Sequence, residues 1–365
     1  MESLNILYCL RRDAHTKPGG DSGKVEKYIK ELSKINIKAN IVTNPSQLSQ
    51  LTSDPTLVHI FNTQTPYENI PYYKWAKRRK IPIYFSTIHH QEKFMEMYFK
   101  TSKIGRFLNY EMHSWLTSLA KEILVYRSIR NLTNFSRLPK SINRKIIENS
   151  ESIFPLSTSE LEHLETDHAI RIPKEKVTII PNGQTFTSPT EQLTRDIDIL
   201  VVGRIEPRKN QLKIAQALSK SNYTVCFAGQ ENTNHTTYVR DFKDTVNSSK
   251  NISFIGKQNQ DQLKELYTKS RINLSNSWFE VVSQVDLEAT ALGCKPIVSE
   301  AGAILDYFSP APITLSPNCS EQEILDAVNS AALPTYSPKI REDYFFEWSS
   351  IVEKILHIYR KADAS

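Results

Sequence analysis

Ser275-Asn276-Ser277-Trp278-Phe279-Glu280-Val281-Val282-Ser283-Gln284-Val285-Asp286-Leu287-Glu288-Ala289-Thr290-Ala291-Leu292-Gly293 lies between two apolar runs and sets the architecture of the chain. Arg271-Ile272-Asn273-Leu274 before it and Lys295-Pro296-Ile297-Val298-Ser299 after it both have the apolar content of short buried strands. The piece between reads as a loop feeding a helix over 281–292, which makes strand, helix, strand in a parallel sheet. Ligands of such sheets collect outside the C-terminal ends of the strands. Glu280 is expected at the loop-to-helix junction and Glu288 two turns further on, near the same helical face. Two acceptor-only carboxylates there suit a partner rich in hydroxyls, whereas two solvated acids on an amphipathic helix are the plainer reading.

Working outward, the apolar run Ile197–Val202 ends in Gly203-Arg204, and Lys209 opens the next helix. Two long cations are thereby aimed at one strand end. A diphosphate needs such charges, Arg offering a fork and Lys a point charge. Further strands are expected at 223–227, ending in Ala228-Gly229, and at 252–255, ending in Gly256-Lys257. A helix over 261–269, a last short strand over 312–315 and a long amphipathic helix over 344–359 complete the chain.

The N-terminal half alternates in the same way. A strand over 5–10 leads into Lys17-Pro18-Gly19-Gly20-Asp21-Ser22-Gly23-Lys24, followed by apolar residues at helical spacing. Pro18 and Val25 break the phosphate-loop pattern, and the glycine spacing does not fit a dinucleotide fingerprint. Gly19 and Gly20 either permit close backbone approach to a ligand at a helix start or make a plain tight turn. Strands follow at 37–42, 57–61, 82–86 and 153–157, and one over 176–180 ends in Pro181-Asn182-Gly183. His89, at the end of the fourth strand, is expected to face the ligand crevice; His90 reads equally well as structural. Residues 185–195, rich in Thr, Ser and Gln, have the composition of a linker.

At 365 residues the chain is too long for one core and fits two domains of doubly wound α/β type. Its four cysteines are scattered without metal-ligand spacing, which suits reduced, buried thiols in the cytoplasm. No run approaches the ~20 apolar residues needed to cross a bilayer. Net charge is +6, but residues 100–145 alone hold ten Lys and Arg against two Glu, so that segment carries +8 and the remainder −2. Within it Ile104, Phe107, Leu108, Trp115, Leu116, Leu119 and Ile123 recur at helical spacing. Either this helix packs its stripe on its own sheet and solvates its charges, or it meets anionic lipid or a lipid-pyrophosphate acceptor. No nucleic-acid motif accompanies the basic stretch.

Glu280, seven residues and Glu288, followed by Ala-x-Ala-x-Gly-x-x-Pro-Ile-Val-Ser, resembles the donor signature of family 4 retaining glycosyltransferases, within the glycosyl transferases of group 1. Gly19-Gly20, His89, Pro181-Asn182-Gly183 and Arg204 with Lys209 resemble the family's other landmarks in the right order. The resemblance implies a GT-B fold: an acceptor domain over 1–190 and a nucleotide-sugar domain over 191–343, facing a central cleft, with a helix over 344–365 returning to the first. It implies donor contacts from Gly19, Gly20, Arg204, Lys209, Gly256, Lys257, Glu280, Val282, Ser283, Gln284 and Glu288. His89, Arg204, Lys209 and Glu280 are implied in catalysis, with no metal or other cofactor. Where the family commonly has Gly-Phe-Gly-Leu, this chain has Val281-Val282-Ser283-Gln284, so its pocket has a different shape. The implied reaction moves a hexosyl unit from a nucleoside diphosphate sugar to a glycan or lipid-linked acceptor, at or near the inner membrane face. Two other classes stay open: a sugar-nucleotide epimerase of the same architecture, and an inactive subunit of a membrane complex.

Overall fold

Short apolar runs form two separate parallel sheets, and each sheet organises its own unit of the chain. The computed structural model describes residues 4–17, 19–102, 105–186 and 194–362. Its contacts divide into Met1–Gly183 with Phe346–Ser365, and Gln184–Phe345.

In the first unit the order is β1 (Asn5–Cys9), α1 (Gly20–Lys34), β2 (Lys38–Val42), β3 (Leu57–Phe61), α2 (Pro66–Arg79), β4 (Ile83–Ser86), α3 (Glu92–Lys100), α4 (Tyr110–Leu124), α5 (Pro139–Glu148), β5 (Ser152–Phe154) and α6 (Thr158–His168). The strands lie in the order β2-β1-β3-β4-β5, all parallel. Alternate side chains feed two cores. Leu7, Val58, Ile60 and Phe85 pack under α2 and α5, while Ile6, Tyr8, Tyr84 and Phe154 pack on the opposite face. A sheet buried on both faces accounts for strands that read as continuous apolar runs.

The second unit runs β6 (Ile197–Val202), α7 (Gln211–Leu218), β7 (Val225–Ala228), α8 (Thr236–Asn247), β8 (Ile252–Phe254), α9 (Gln260–Lys269), β9 (Ser270–Leu274), α10 (Gln284–Ala291), β10 (Lys295–Ser299), β11 (Phe308–Ser309), β12 (Ile313–Leu315), α11 (Glu321–Ala332) and β13 (Lys339–Ile340). Its main sheet has the order β12-β10-β9-β6-β7-β8 and is parallel, with β11 and β13 forming a small antiparallel ribbon. Finally α12 (Trp348–Ala362) returns to the first unit. There Ile351, Val352, Ile355, Leu356 and Tyr359 are buried in the core with Tyr8, Tyr84 and Phe154. Gly183 lies against this helix: a Cβ there would fall 2.6 Å from the Trp348 ring. All four cysteines are free and buried.

Three expectations are corrected. Residues 176–180 make no strand; only Val177 bridges Ile153. Thr178 and Ile180 donate to the Ile153 and Pro155 carbonyls at 3.0 and 2.8 Å, but Pro155 has no N–H to return the bond, so the ladder stops. The helix after β9 begins at Gln284 and not at 281. Backbone groups of the preceding residues are already used: Trp278 N donates to Arg208 O, Glu280 N to Ala301 O, and Val281 O accepts from Ala303 N. Glu280 therefore sits in a loop and shares no helical face with Glu288. The basic segment is likewise not one helix, since a single turn at Gly105–Phe107 precedes α4. Pro18, Lys103 and Ile104, and 187–193 of the expected linker, lie outside the described residues.

Candidate functional site

The parallel strands of the second unit end side by side because glycines let them. Gly203 N donates to Ala228 O at 2.9 Å and Gly229 N to Gly256 O at 2.8 Å. A Cβ on Gly229 would fall 1.9 Å from the Gly203 carbonyl oxygen, so no larger residue fits that close approach.

Directly after Gly203 the chain places four charged side chains together. Arg204 is exposed, with Nη1 3.8 Å from Glu206 Oε2. Glu206 is buried and accepts from Arg208 Nε at 3.1 Å and from Asn232 Nδ2 at 2.8 Å. The turn Pro207–Lys209, closed by Asn210 at φ 60°, aims Arg208 and Lys209 at the loop before α10. There Lys209 Nζ meets Glu280 Oε2 at 2.5 Å, and Arg208 Nη1 reaches the same oxygen at 3.4 Å and the Phe279 carbonyl at 3.2 Å. Burial works against the Arg208 charge, but Glu280 and Glu206 outweigh it and raise its pKa further. Asn232 links this network to a cavity of about 380 Å³ lined by residues that include Glu231, Thr233, Thr236, Val239 and Lys243.

Behind the loop lies a carboxylate that sequence reasoning passed over. Asp286 is buried and accepts from Asn273 Nδ2 at 2.6 Å and from Ser275 Oγ at 2.8 Å. Burial pushes its pKa up to about 6, against the opposing pull of Ser275, Ser283, Lys209 and Asn273. Ser283 caps α10, its hydroxyl accepting from Asp286 N. Glu288 is buried one turn further, with Gln284 Nε2 3.4 Å from its Oε1; Val282 is buried and Gln284 half-buried. Gly256, at φ 71°, and the exposed Lys257 follow β8, with β7 between that strand and β6.

Thus Lys209 and Glu280 come together, Arg204 joins them only through Glu206 and Arg208, and Gly256 and Lys257 sit further along the sheet. Arg208, Glu206 and Asp286 were missed. Asp286 completes a Ser283-x-x-Asp286 capping pattern, a signal present in the sequence, whereas the order Glu206-Pro207-Arg208-Lys209 does not tell which side chains turn toward the loop before α10.

In the first unit, described by itself, Arg11 fixes the glycine loop. It donates to Asp21 Oδ2 at 2.9 Å and to Lys17 O at 2.5 Å, and a Cβ on Gly19 would come within 2.9 Å of its guanidinium. Around Gly20 there is open space. His89 is buried and lines a small hollow with Thr63, Gln64, Glu92 and Tyr110. Its Nδ1 pairs with Thr63 Oγ1 and its Nε2 with Asp167 Oδ2, both at 2.9 Å, and its backbone N–H donates to the buried Glu160. Burial opposes the Asp167 charge, yet His89 and the Glu92 amide hold that carboxyl below its ordinary value. Among the described residues no group of three or more His, Cys, Asp or Glu stands ready for a metal, and no helix is long and apolar enough to cross a membrane.

Residues 185–336 match the family model of glycosyl transferases, group 1. That match covers nearly the whole of the second unit. No curated protein sequence matches the chain. Among solved structures, it is similar to sucrose-phosphate synthase from Thermosynechococcus elongatus, at 13% identity and TM-score 0.71 over 99% of each chain. It is also similar to HepE of Anabaena in complex with UDP and glucose, at 12% identity and TM-score 0.64, over 99% of this chain and 98% of that one. The catalytic domain of starch synthase IV from Arabidopsis thaliana, bound to ADP and acarbose, aligns over 100% of both chains at 12% identity and TM-score 0.57. At such identities the likeness establishes the fold, which is GT-B. The matched residues include Arg204, Lys209, Glu280 and Glu288.

Proposed function

We propose that this chain is a family 4 glycosyltransferase, moving a hexosyl unit from a nucleoside diphosphate sugar to an acceptor hydroxyl, with retention at the anomeric carbon and without a metal ion. Its place is the assembly of a bacterial surface polysaccharide or glycolipid, at the cytoplasmic face of the membrane. The observation that carries the reading is the pairing of Arg208 and Lys209 with Glu280 just past the exit of β6, with Arg204 3.8 Å from Glu206 in the same turn.

As the glycosidic bond breaks, negative charge grows on the departing diphosphate. Cations held at one strand end are then stronger partners in the transition state than before it. Glu280 holds Lys209 at 2.5 Å. A donor exchanges those partners: a phosphate oxygen takes Lys209, and a sugar hydroxyl donates to Glu280. Glu288 accepts from ribose hydroxyls, and the backbone N–H groups of Val282, Ser283 and Gln284 face the sugar phosphate. Gly256 and Lys257 meet the base. The leaving phosphate oxygen takes the acceptor's proton. His89 takes part once its ring trades Asp167 or Thr63 for a substrate group, and the Gly19-Gly20 backbone makes a further contact to the donor.

Lys209→Ala, assayed with a chelator present in both proteins, is expected to lower donor turnover on the order of a hundredfold, the usual cost of one transition-state donor. Unchanged turnover, or a wild type that the chelator silences, would overturn the reading.

A further inference from the structure

The outer face of α4 departs from what a solvated helix should present. Its inner side is fixed. Trp115 and Leu119 pack on the core, Trp115 Nε1 donates to Phe135 O at 3.0 Å, and buried Glu122 is held through both oxygens by Arg12 at 3.1 Å. The outward side ought then to be charged. Instead Met112, Leu116, Ala120 and Ile123, at successive spacings of four, four and three, are all exposed. Leu124 and Val125 extend the row with 73% and 66% of their surface open, and Phe107, in the turn before the helix, is 88% exposed. Of twelve large apolar side chains exposed among the described residues, six lie in this one segment, so chance scatter does not account for it.

Charge selects the occupant. Residues 100–145 carry +8 and the remainder of the chain −2. Lys100, Lys121 and Lys140 spend charge on Glu96, Glu68 and Glu92. Arg127 and Arg137 stay exposed at the two ends of the Ile129–Ser136 segment, which packs against α4. A second copy of this chain would match the apolar row but set one strongly basic segment against another. An anionic bilayer satisfies both features: the apolar row enters the boundary between headgroups and acyl chains, and the cations meet lipid phosphates.

We infer that the outer face of α4, from Phe107 to Val125, is a seat for an anionic phospholipid surface. It rests on the first unit alone, so it stands or falls separately from the donor chemistry. The full chain is sedimented with vesicles of phosphatidylcholine alone, or with about one third phosphatidylglycerol. The expected result is capture by the anionic vesicles, little by the neutral ones, and release as salt is raised. Leu116→Glu with Leu124→Glu should lower the captured fraction roughly tenfold or more while leaving nucleoside diphosphate binding intact. Should that pair prevent folding, Leu124→Glu alone and Arg127→Glu serve the same purpose. Wild-type protein left in the supernatant, a variant that binds as well as wild type, or a dimer that the variant splits into monomers would each overturn the inference.

Discussion

One carboxylate oxygen of Glu280 serves both Lys209 at 2.5 Å and Arg208 at 3.4 Å. Removing its charge therefore separates two effects that a lysine substitution merges. With Glu280→Gln, Lys209 loses a competitor for phosphate, so affinity for a nucleoside diphosphate should hold or tighten severalfold. Transfer of the sugar should fall on the order of a hundredfold, because the hydrogen bond to the sugar is weakened where it counts. Calorimetry with the diphosphate beside turnover of the full donor reads both numbers, and a parallel loss in the two would show that Glu280 only supports Lys209. Lys209 and Glu280 were expected near one another because each follows the end of a strand in the same parallel sheet, and the structure pairs them. Glu206 and Arg208 were not, because sequence order places them in the same turn as Lys209 without saying which side chains turn toward the loop before α10.

Strands were the most readable elements, since a parallel sheet buried on both faces imposes long apolar runs that no loop needs. Where reading failed, backbone hydrogen bonds decided. The run at 176–180 lacked a returning donor at Pro155, and the start of α10 was delayed because its would-be first turn was already bonded to Ala301, Ala303 and Arg208. Asp286 ties these pieces together, joining β9 through Asn273, the loop through Ser275 and the start of α10. Its pKa of about 6 lies above the ordinary 3.8. Between those two values the folded chain keeps a proton that the unfolded chain has released, so this contribution to stability is whole at low pH and is lost as pH rises through about 6. Asp286→Asn removes the titration. The thermal midpoint of wild type relative to the variant should therefore improve as pH falls from about 7 toward 4. A constant difference across that range would mean that Asp286 stays ionised in its buried setting.

At the level of the whole chain the two units differ in how they are built. The second is one uninterrupted segment, Gln184–Phe345, whereas the first needs both ends of the sequence. In the first unit α12 supplies Ile351, Val352, Ile355, Leu356 and Tyr359 to the core, and the Tyr359 hydroxyl pairs with the buried His59 Nδ1 at 2.5 Å. Burying a large apolar side chain stabilises by about 1.5–3 kcal/mol, and five of them together rival the 5–15 kcal/mol that separates a typical domain from its unfolded state. Losing α12 would also leave His59 without one of its partners, Ser86 remaining on Nε2 at 2.9 Å. A chain ending at Phe345 should accordingly keep a folded second unit and lose the first. The segment 184–345 made by itself should melt cooperatively and still bind a nucleoside diphosphate, since Arg204, Lys209, Glu280 and Glu288 all lie within it. Calorimetric melts of the full chain, of 1–345 and of 184–345 decide the matter. Retention of every transition by 1–345, or a non-cooperative melt of 184–345, would show that the helix is an accessory and that the donor unit depends on its neighbour.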